Sequence, residues 1–172
     1  MTLLDRKSLK AAMREGGELG PLLRYGGGPG TLVHHIGDDW PWKPGQNINM
    51  LYDYRNHIGL QVQLSTIKFQ TVVIPKQDVE HWGVLDRRSM PTGAHDRSST
   101  IAFGFLYGPI GALLGASMDA RAEERRGGKP VIGVTYRTGD AEHAFFLEFA
   151  LAPLYRKAHE FLNGALPGLL RQ

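Results

Sequence analysis

The chain has no cysteine among its 172 residues and no large excess of charge of either sign. The absence of cysteine excludes a disulfide scaffold, a cysteine-ligated zinc or iron–sulfur centre, and thiol catalysis. Lysine and arginine number 20 against 17 aspartate and glutamate residues, so the net charge is only +3. Proteins that bind nucleic acid usually concentrate basic residues on one face. We therefore expect no specific nucleic-acid partner.

Motifs for catalysis, cofactor binding and secretion are also missing. Ser98, Ser99 and Ser117 lie outside any G-x-S-x-G elbow, and the glycines at 26–28 lack the Gly-Lys-Ser/Thr ending of a phosphate loop. The first 15 residues mix charged with apolar side chains, which a secretory signal does not do. The sequence predicts a non-enzymatic protein without a cofactor, located in the cytoplasm or at the inner face of the membrane.

Glycine and proline are plentiful, at 22 and 10 residues, which indicates many turns and a β-rich fold. We divide the chain into an N-terminal part, residues 1–30, and a domain, residues 31–172. Leu9 and Met13 share one face of a short amphipathic helix predicted over residues 3–15, with Thr2 and Asp5 at the spacing of a capping box. The glycine-rich residues 16–30 predict a flexible connector.

Alternating apolar and polar residues predict strands through the middle of the chain. These strands cover residues 31–36, 47–54, 60–64, 67–74 and 81–85. Pro75 ends the fourth of them, and residues 75–80 predict a turn or a single helical turn with Val79 directed inward. Residues 86–97 are polar and predict an exposed loop.

The last third of the chain predicts a β-hairpin followed by an amphipathic helix. The two strands cover residues 131–137 and 143–150, and each places alternate apolar side chains on one face: Ile132, Val134, Tyr136, Phe145, Leu147 and Phe149. Pro153 suits the first turn of a helix. The apolar stripe of that helix consists of Leu154, Ala158, Phe161, Leu162, Ala165 and Leu166. We expect this helix to close over the strands.

These elements resemble a bacterial pleckstrin-homology-like (PH-like, GRAM-like) domain over residues 31–166. The most specific stretches are QTVVIPKQDVEHWGV, with its I-P-x-x-D-V turn from Ile74 to Val79, and the hairpin and helix that begin at Pro130. The resemblance implies a mainly β fold, a bent seven-stranded barrel capped by the last helix. It also implies a binding function of unspecified ligand, because this fold accepts lipids, peptides and proteins. Asp38 and Asp39 stand where phosphoinositide-binding members cluster basic residues.

One segment departs from this pattern, since residues 98–118 form a run of 21 positions without a charged residue. Gly104 and Gly108, and again Gly111 and Gly115, are four residues apart, a spacing that allows close helix packing. In the favoured interpretation, residues 98–130 are an insertion with a strand at 100–107 and a helix at 110–125 that packs on protein. In the alternative, residues 98–118 enter a bilayer as a hairpin. Pro109 favours the first, because proline interrupts a spanning helix.

The predicted function is a binding or assembly module that uses this insertion for self-association or for contact with another protein. Its predicted interaction residues are Leu106, Gly108, Ile110, Gly111, Leu113, Leu114 and Gly115. A basic edge follows, which would contact an anionic membrane surface: Arg121, Arg125, Arg126 and Lys129. The alternative function is a peripheral membrane protein that inserts residues 98–118.

A weaker alternative is a metal-dependent hydrolase using His34, His35, Asp38 and Asp39, the one dense group of metal-ligand residue types in the sequence. Neighbouring residues on a strand point to opposite faces, so His34 and His35 are not expected to share an ion. We therefore predict no metal site and no catalytic residue. A separate expectation concerns aromatic residues that could meet near one end of the strands: Trp40, Trp42, Tyr52 and Tyr54.

Overall fold

A computed structural model of the chain describes residues 1–13, 17–37, 42–86 and 130–170. The strands in these ranges are β1 (Thr2–Leu4), β2 (Leu22–Gly26), β3 (Gly30–Ile36), β4 (Asn47–Tyr54), β5 (His57–Gln63), β6 (Phe69–Pro75), β7 (Val79–Asp86), β8 (Pro130–Thr138) and β9 (Ala141–Glu148). The helices are α1 (Arg6–Ala12) and α2 (Ala152–Ala165), and a short 3-10 turn covers Lys76–Asp78.

The nine strands form one antiparallel sheet in the order β1-β6-β5-β4-β3-β9-β8-β7, with β2 paired beside β4. The sheet turns at β3. Gly30 and Thr31 of β3 pair with β4, whereas the strand from Thr31 onward pairs with β9, with a register shift between Leu32 and His34. Strand β2 pairs with the part of β4 that β3 leaves open. The fold is mainly β, as predicted. Among the described residues, the order of strands ends at β1 and β7, and these two strands do not pair, so the sheet is not closed into the expected barrel.

The main hydrophobic core lies between one face of this sheet and α2. Every strand from β3 to β9 contributes to it, and α2 adds Tyr155, Ala158, Phe161, Leu162 and Ala165. The predicted alternation is confirmed here, because Ile132, Val134 and Tyr136 all belong to this core. Burial of these side chains is the main force that holds α2 against the sheet.

The opposite face of β4, β5 and β6 is covered by the N-terminal part of the chain. Leu19, Tyr54 and Val73 form a second buried cluster, with Leu4 and Leu9 packed against it. Gly59 of β5 lies beneath the rings and side chains of Tyr54, Tyr52 and Thr71. β1 and β2 therefore belong to the same sheet as the strands that follow them, and α1 packs against one face of it through Leu9.

A short segment pairs at each end of the sheet, β1 with β6 and residues 169–170 with β7. β1 pairs with β6 through Thr2↔Val73, Leu3↔Val72 and Leu4↔Thr71. At the other end, Leu170 forms a parallel bridge with Trp82 of β7, and the Trp82 backbone N–H donates to the Leu169 carbonyl at 3.0 Å. The Trp82 indole Nε1 also donates to the Leu166 carbonyl at 3.4 Å.

In the N-terminal part, the predicted helix is confirmed with shorter bounds, whereas the predicted flexible connector is wrong at residues 22–26. The helix begins at Arg6 rather than at residue 3, because Asp5 supplies the cap: its Oδ1 accepts from the Ser8 N–H at 2.7 Å. Residues 2–4 instead complete the edge of β6. The segment predicted as a flexible connector contains β2. This strand forms because β4 has an unpaired edge at Leu51–Tyr54. The glycine-rich sequence alone does not indicate such a pairing.

Candidate functional site

The structure does not place the predicted interaction residues. Leu106 to Gly115 and Arg121 to Lys129 all lie outside the described ranges, as do Trp40, Asp38 and Asp39. The self-association surface, the basic edge and the weaker metal-site hypothesis therefore stay predictions. The described residues contain two other features that sequence reasoning missed, a buried ionic cluster and an exposed apolar hairpin tip.

The ionic cluster centres on Asp53 near the end of β4, whose side chain is only 3% exposed. Its Oδ2 lies 2.6 Å from Nε of Arg24 on β2, and its Oδ1 lies 2.6 Å from Nζ of Lys76 in the 3-10 turn. The Arg24 and Lys76 side chains are 41% and 22% exposed, so the cations reach solvent while the carboxylate does not. Burial of a carboxylate is costly unless cations or hydrogen-bond donors contact it, and Arg24 and Lys76 supply those contacts here.

Arg24 also connects this cluster to α2. Its guanidinium carbon lies 5.5 Å from the centre of the Phe161 ring, a cation–π contact. The same guanidinium occupies the space beside Gly164 that a side chain there would fill. Arg24 thus contacts both β4 and α2, and the cluster connects four elements: β2, β4, the 3-10 turn and α2. The Asp53 carboxylate itself is buried, so the exposed parts of the cluster are its two cations.

Two buried polar atoms close to this end of β4 and β5 have no hydrogen-bond partner within the described part of the chain, the Tyr54 hydroxyl and the His57 Nδ1. Burial raises the pKa of Tyr54 well above its usual value, and Tyr52 adds to the shift. Burial lowers the pKa of His57, although the carboxylates of Glu18 and Asp78 oppose that shift. Both groups are therefore neutral near pH 7.

The histidines on β3 lie nearer to each other than strand alternation predicts. The rings of His34 and His35 are stacked with centres 6.5 Å apart. The centre of the His34 ring also lies 5.8 Å from the centre of the Phe146 ring on β9. The register shift beside His34 breaks the regular alternation of this strand. Burial lowers the pKa of His34, with His35 acting in the same direction. Among the described residues, no three His, Cys, Asp or Glu side chains form a group that could hold a metal ion.

The predicted meeting of Trp42 with Tyr52 and Tyr54 is wrong. Trp42 is buried in the main core, and its Nε1 donates to Oε1 of Gln70 at 3.4 Å. Tyr52 and Tyr54 stack with ring centres 5.9 Å apart on the other face of the sheet, where Tyr54 belongs to the second cluster. The sequence shows that these residues are aromatic, but the sheet separates them.

The hairpin tip, residues 64–69, joins β5 to β6 and carries three exposed apolar side chains. Ile67 is 89% exposed, and Leu64 and Phe69 are also exposed. The tip is an ordered turn, because the Leu64 N–H donates to the Lys68 carbonyl at 2.9 Å and the Lys68 N–H donates to the Ser65 Oγ at 3.2 Å. A turn in water normally carries Gly, Asn, Asp or Ser rather than isoleucine at this position.

A small cavity lies between α2 and the sheet. Leu60, Phe145 and Phe161 are among its mostly aliphatic and aromatic lining residues, which offer almost no polar surface to orient a ligand. Specific ligand sites combine apolar walls with a few placed polar groups. This cavity is therefore a packing gap in the core rather than a binding site.

Comparisons with protein-family models, with curated proteins and with solved structures find no match to this chain. In the part of the chain that the structure describes, no helix is both long enough and apolar enough to cross a membrane.

Proposed function

We propose that the chain is a non-enzymatic binding or assembly module built on a PH-like domain. The support for the domain type is the chain order of seven strands, β3 to β9, followed by a helix that packs across the core they share. The strands follow the spatial order β6-β5-β4-β3-β9-β8-β7, so the first of them lies in the middle and joins the two halves. A further support is the I-P-x-x-D-V stretch, which runs from the end of β6 through the 3-10 turn to the first residue of β7.

The observation that carries the function is the uncharged run at residues 98–118. It lies in the connection between β7 and β8, a place where a long insertion leaves the strand pairing of a sheet intact. Its four-residue glycine spacing suits close contact with a second helix, and an apolar run of this length on a folded domain needs a partner. The proposed partner of this run is the same run in a second copy of the chain, because the small-residue spacing is self-complementary.

The test is the mass of the full chain in solution, purified without detergent and measured by light scattering after size exclusion. The expected result is a discrete oligomer for the natural sequence and a monomer for the variant Gly111→Leu with Gly115→Leu. A matched control adds two leucines elsewhere, Asn47→Leu with Asn163→Leu, at exposed positions of the sheet and of α2. The control is expected to keep the natural mass.

An unchanged mass and unchanged partner binding in the folded Gly111→Leu, Gly115→Leu variant would overturn the proposal. Recovery of the natural chain only in the membrane fraction would favour the bilayer alternative for residues 98–118. Stoichiometric transition metal in the purified protein would instead favour the hydrolase alternative at His34, His35, Asp38 and Asp39.

A further inference from the structure

The hairpin tip extends beyond the strands that flank it. The last pair between β5 and β6 is Gln63↔Phe69, whereas the pairing of β5 with β4 ends at Val62↔Ile48. On the other side, β1 pairs with β6 only as far as Thr71. Residues 64–68 therefore lie past the last of these strand pairs, residues 64–69 are all exposed, and Ile67 is the most exposed side chain of the tip.

The hairpin that carries the tip is almost free of charge. Between Arg55 and Lys76, Lys68 is the sole lysine, arginine, aspartate or glutamate in the sequence. The nearest acidic residues along the chain are Asp53 and Asp78, both at the opposite end of the hairpin. A projection of this composition can enter an apolar medium without desolvating a carboxylate, which is the most costly obstacle to such insertion.

A second cation belongs to the same end of the sheet. Trp42 is held beside Gln70 by the hydrogen bond from its Nε1, and Gln70 directly follows the last residue of the tip. Lys43 follows Trp42 and is exposed. Lysines beside a projecting apolar group favour a surface with negative charge at its boundary and hydrocarbon beneath it.

We propose that the hairpin tip, residues 64–69, inserts into the interface of an anionic lipid bilayer, with Ile67 as the deepest residue and Lys43 and Lys68 at the headgroups. An exposed tip with three apolar side chains at its end can bury them in a fluid bilayer, which conforms to the shape of the tip. Such a contact is weak and reversible, comparable to a single lipid anchor. It is independent of the assembly function and of residues 98–118.

The absence of cysteine makes a direct test possible with the full chain. Ile67→Cys and Leu151→Cys variants are labelled with an environment-sensitive fluorophore, and Leu151 serves as the control because it is an apolar side chain 62% exposed before α2. Vesicles of phosphatidylcholine with phosphatidylglycerol are then added. The expected result is a blue shift and an intensity gain at position 67, with little change at position 151.

Vesicle flotation of unlabelled protein measures the strength of the contact. Ile67→Ser is expected to weaken binding to the anionic vesicles about tenfold or more, because the apolar surface that Ile67 buries in the bilayer is lost. Leu151→Ser is expected to bind like the natural sequence. The double variant Lys43→Gln, Lys68→Gln is expected to lose most of the preference for anionic over pure phosphatidylcholine vesicles.

Three outcomes would overturn the proposal. The first is absence of vesicle binding by the natural chain, and the second is equal binding by Ile67→Ser, which would assign any membrane contact to another segment. The third is equal binding to neutral and anionic vesicles, which would show that Lys43 and Lys68 do not select a surface of negative charge. Failure here leaves the light-scattering test of assembly unaffected, because that test contains no lipid.

Discussion

A single carboxylate, that of Asp53, contacts cations from two different elements, Arg24 and Lys76. Removing one partner of a fully buried pair typically costs roughly 3–5 kcal/mol, because the remaining charge is left uncompensated in a poor solvent. Here the cations reach water, so part of that cost is recovered. The cluster therefore contributes through the connection it makes among β2, β4 and α2 rather than through Coulomb attraction alone.

Asp53→Asn is expected to lower the free energy of unfolding by about 2–3 kcal/mol, since both cations lose their counter-ion at once. The measurement is urea denaturation followed by circular dichroism. Glu142→Gln is the matched control, because Glu142 pairs with Arg137 at 3.0 Å on the surface. A surface pair contributes about 1 kcal/mol or less, so equal losses in the two variants would contradict this account of Asp53.

His57 gives the stability a dependence on pH. Burial holds its pKa below the usual value of 6.5, and Lys76 acts in the same direction while Glu18 and Asp78 oppose it. As pH falls through that usual value, the unfolded chain binds a proton that the folded chain does not. The contribution of His57 is therefore fully present above the unfolded pKa and is lost as the pH falls toward the folded one.

Denaturation midpoints measured over a pH series are expected to fall less steeply with acid in His57→Gln than in the natural chain. Burial also lowers the pKa of His34 and His159, and those groups remain in the variant, so the slope is reduced but not abolished. Superimposable pH profiles for the two proteins would contradict the role assigned to His57.

At the scale of elements, the chain directly after β2 comes close to both β4 and α2 at Gly27. This residue has φ +69°, and a Cβ there would lie 2.9 Å from Leu51 Cδ1 and 3.2 Å from the Ala158 Cα. Gly139 in the β8–β9 turn has a similar φ of +60° but open space around it. Both glycines have the left-handed backbone that other residues rarely adopt, but Gly27 is closely packed and Gly139 is not.

Gly139→Ala is expected to cost about 1 kcal/mol of unfolding free energy, from the left-handed backbone alone. Gly27→Ala is expected to cost a further 1–3 kcal/mol or so, because the added methyl group separates β2 from α2. Thermal or urea unfolding of both variants gives the comparison. A smaller loss for Gly27→Ala than for Gly139→Ala would show that the two elements are not tightly packed.

The same scale explains what the sequence could and could not predict. Strands with clear alternation, such as β8 with Ile132 and Val134, were predictable because the sheet face requires that pattern. β2 was not, because its pairing depends on an edge of β4 that only the bend at β3 exposes. Ile67 was assigned to a strand by alternation, whereas the chain turns at Ser65 and leaves it in the tip.

For the whole molecule, the sequence was informative about the main core and uninformative about its connections. Apolar periodicity placed α2 over the strands, and the core confirms this. The Arg24–Asp53–Lys76 cluster has no local signature, because its members are separated along the chain and meet through strand pairing. The exposed hairpin tip did have one, since a hairpin with Lys68 as its single charged residue and with isoleucine in its turn is visible in the sequence.

Because β3 pairs with both β4 and β9, its two pairings are expected to form at different stages of folding. Thr31 pairs with Asn47 on one side and with Glu148 on the other. The first contact is local and can form early, whereas the second must close a loop across most of the chain. The strands β4 to β6 can thus pair while β9 is still absent, and the edge of β3 stays open until β9 arrives. During synthesis this half-finished edge is the natural place for chaperone contact or for misassembly.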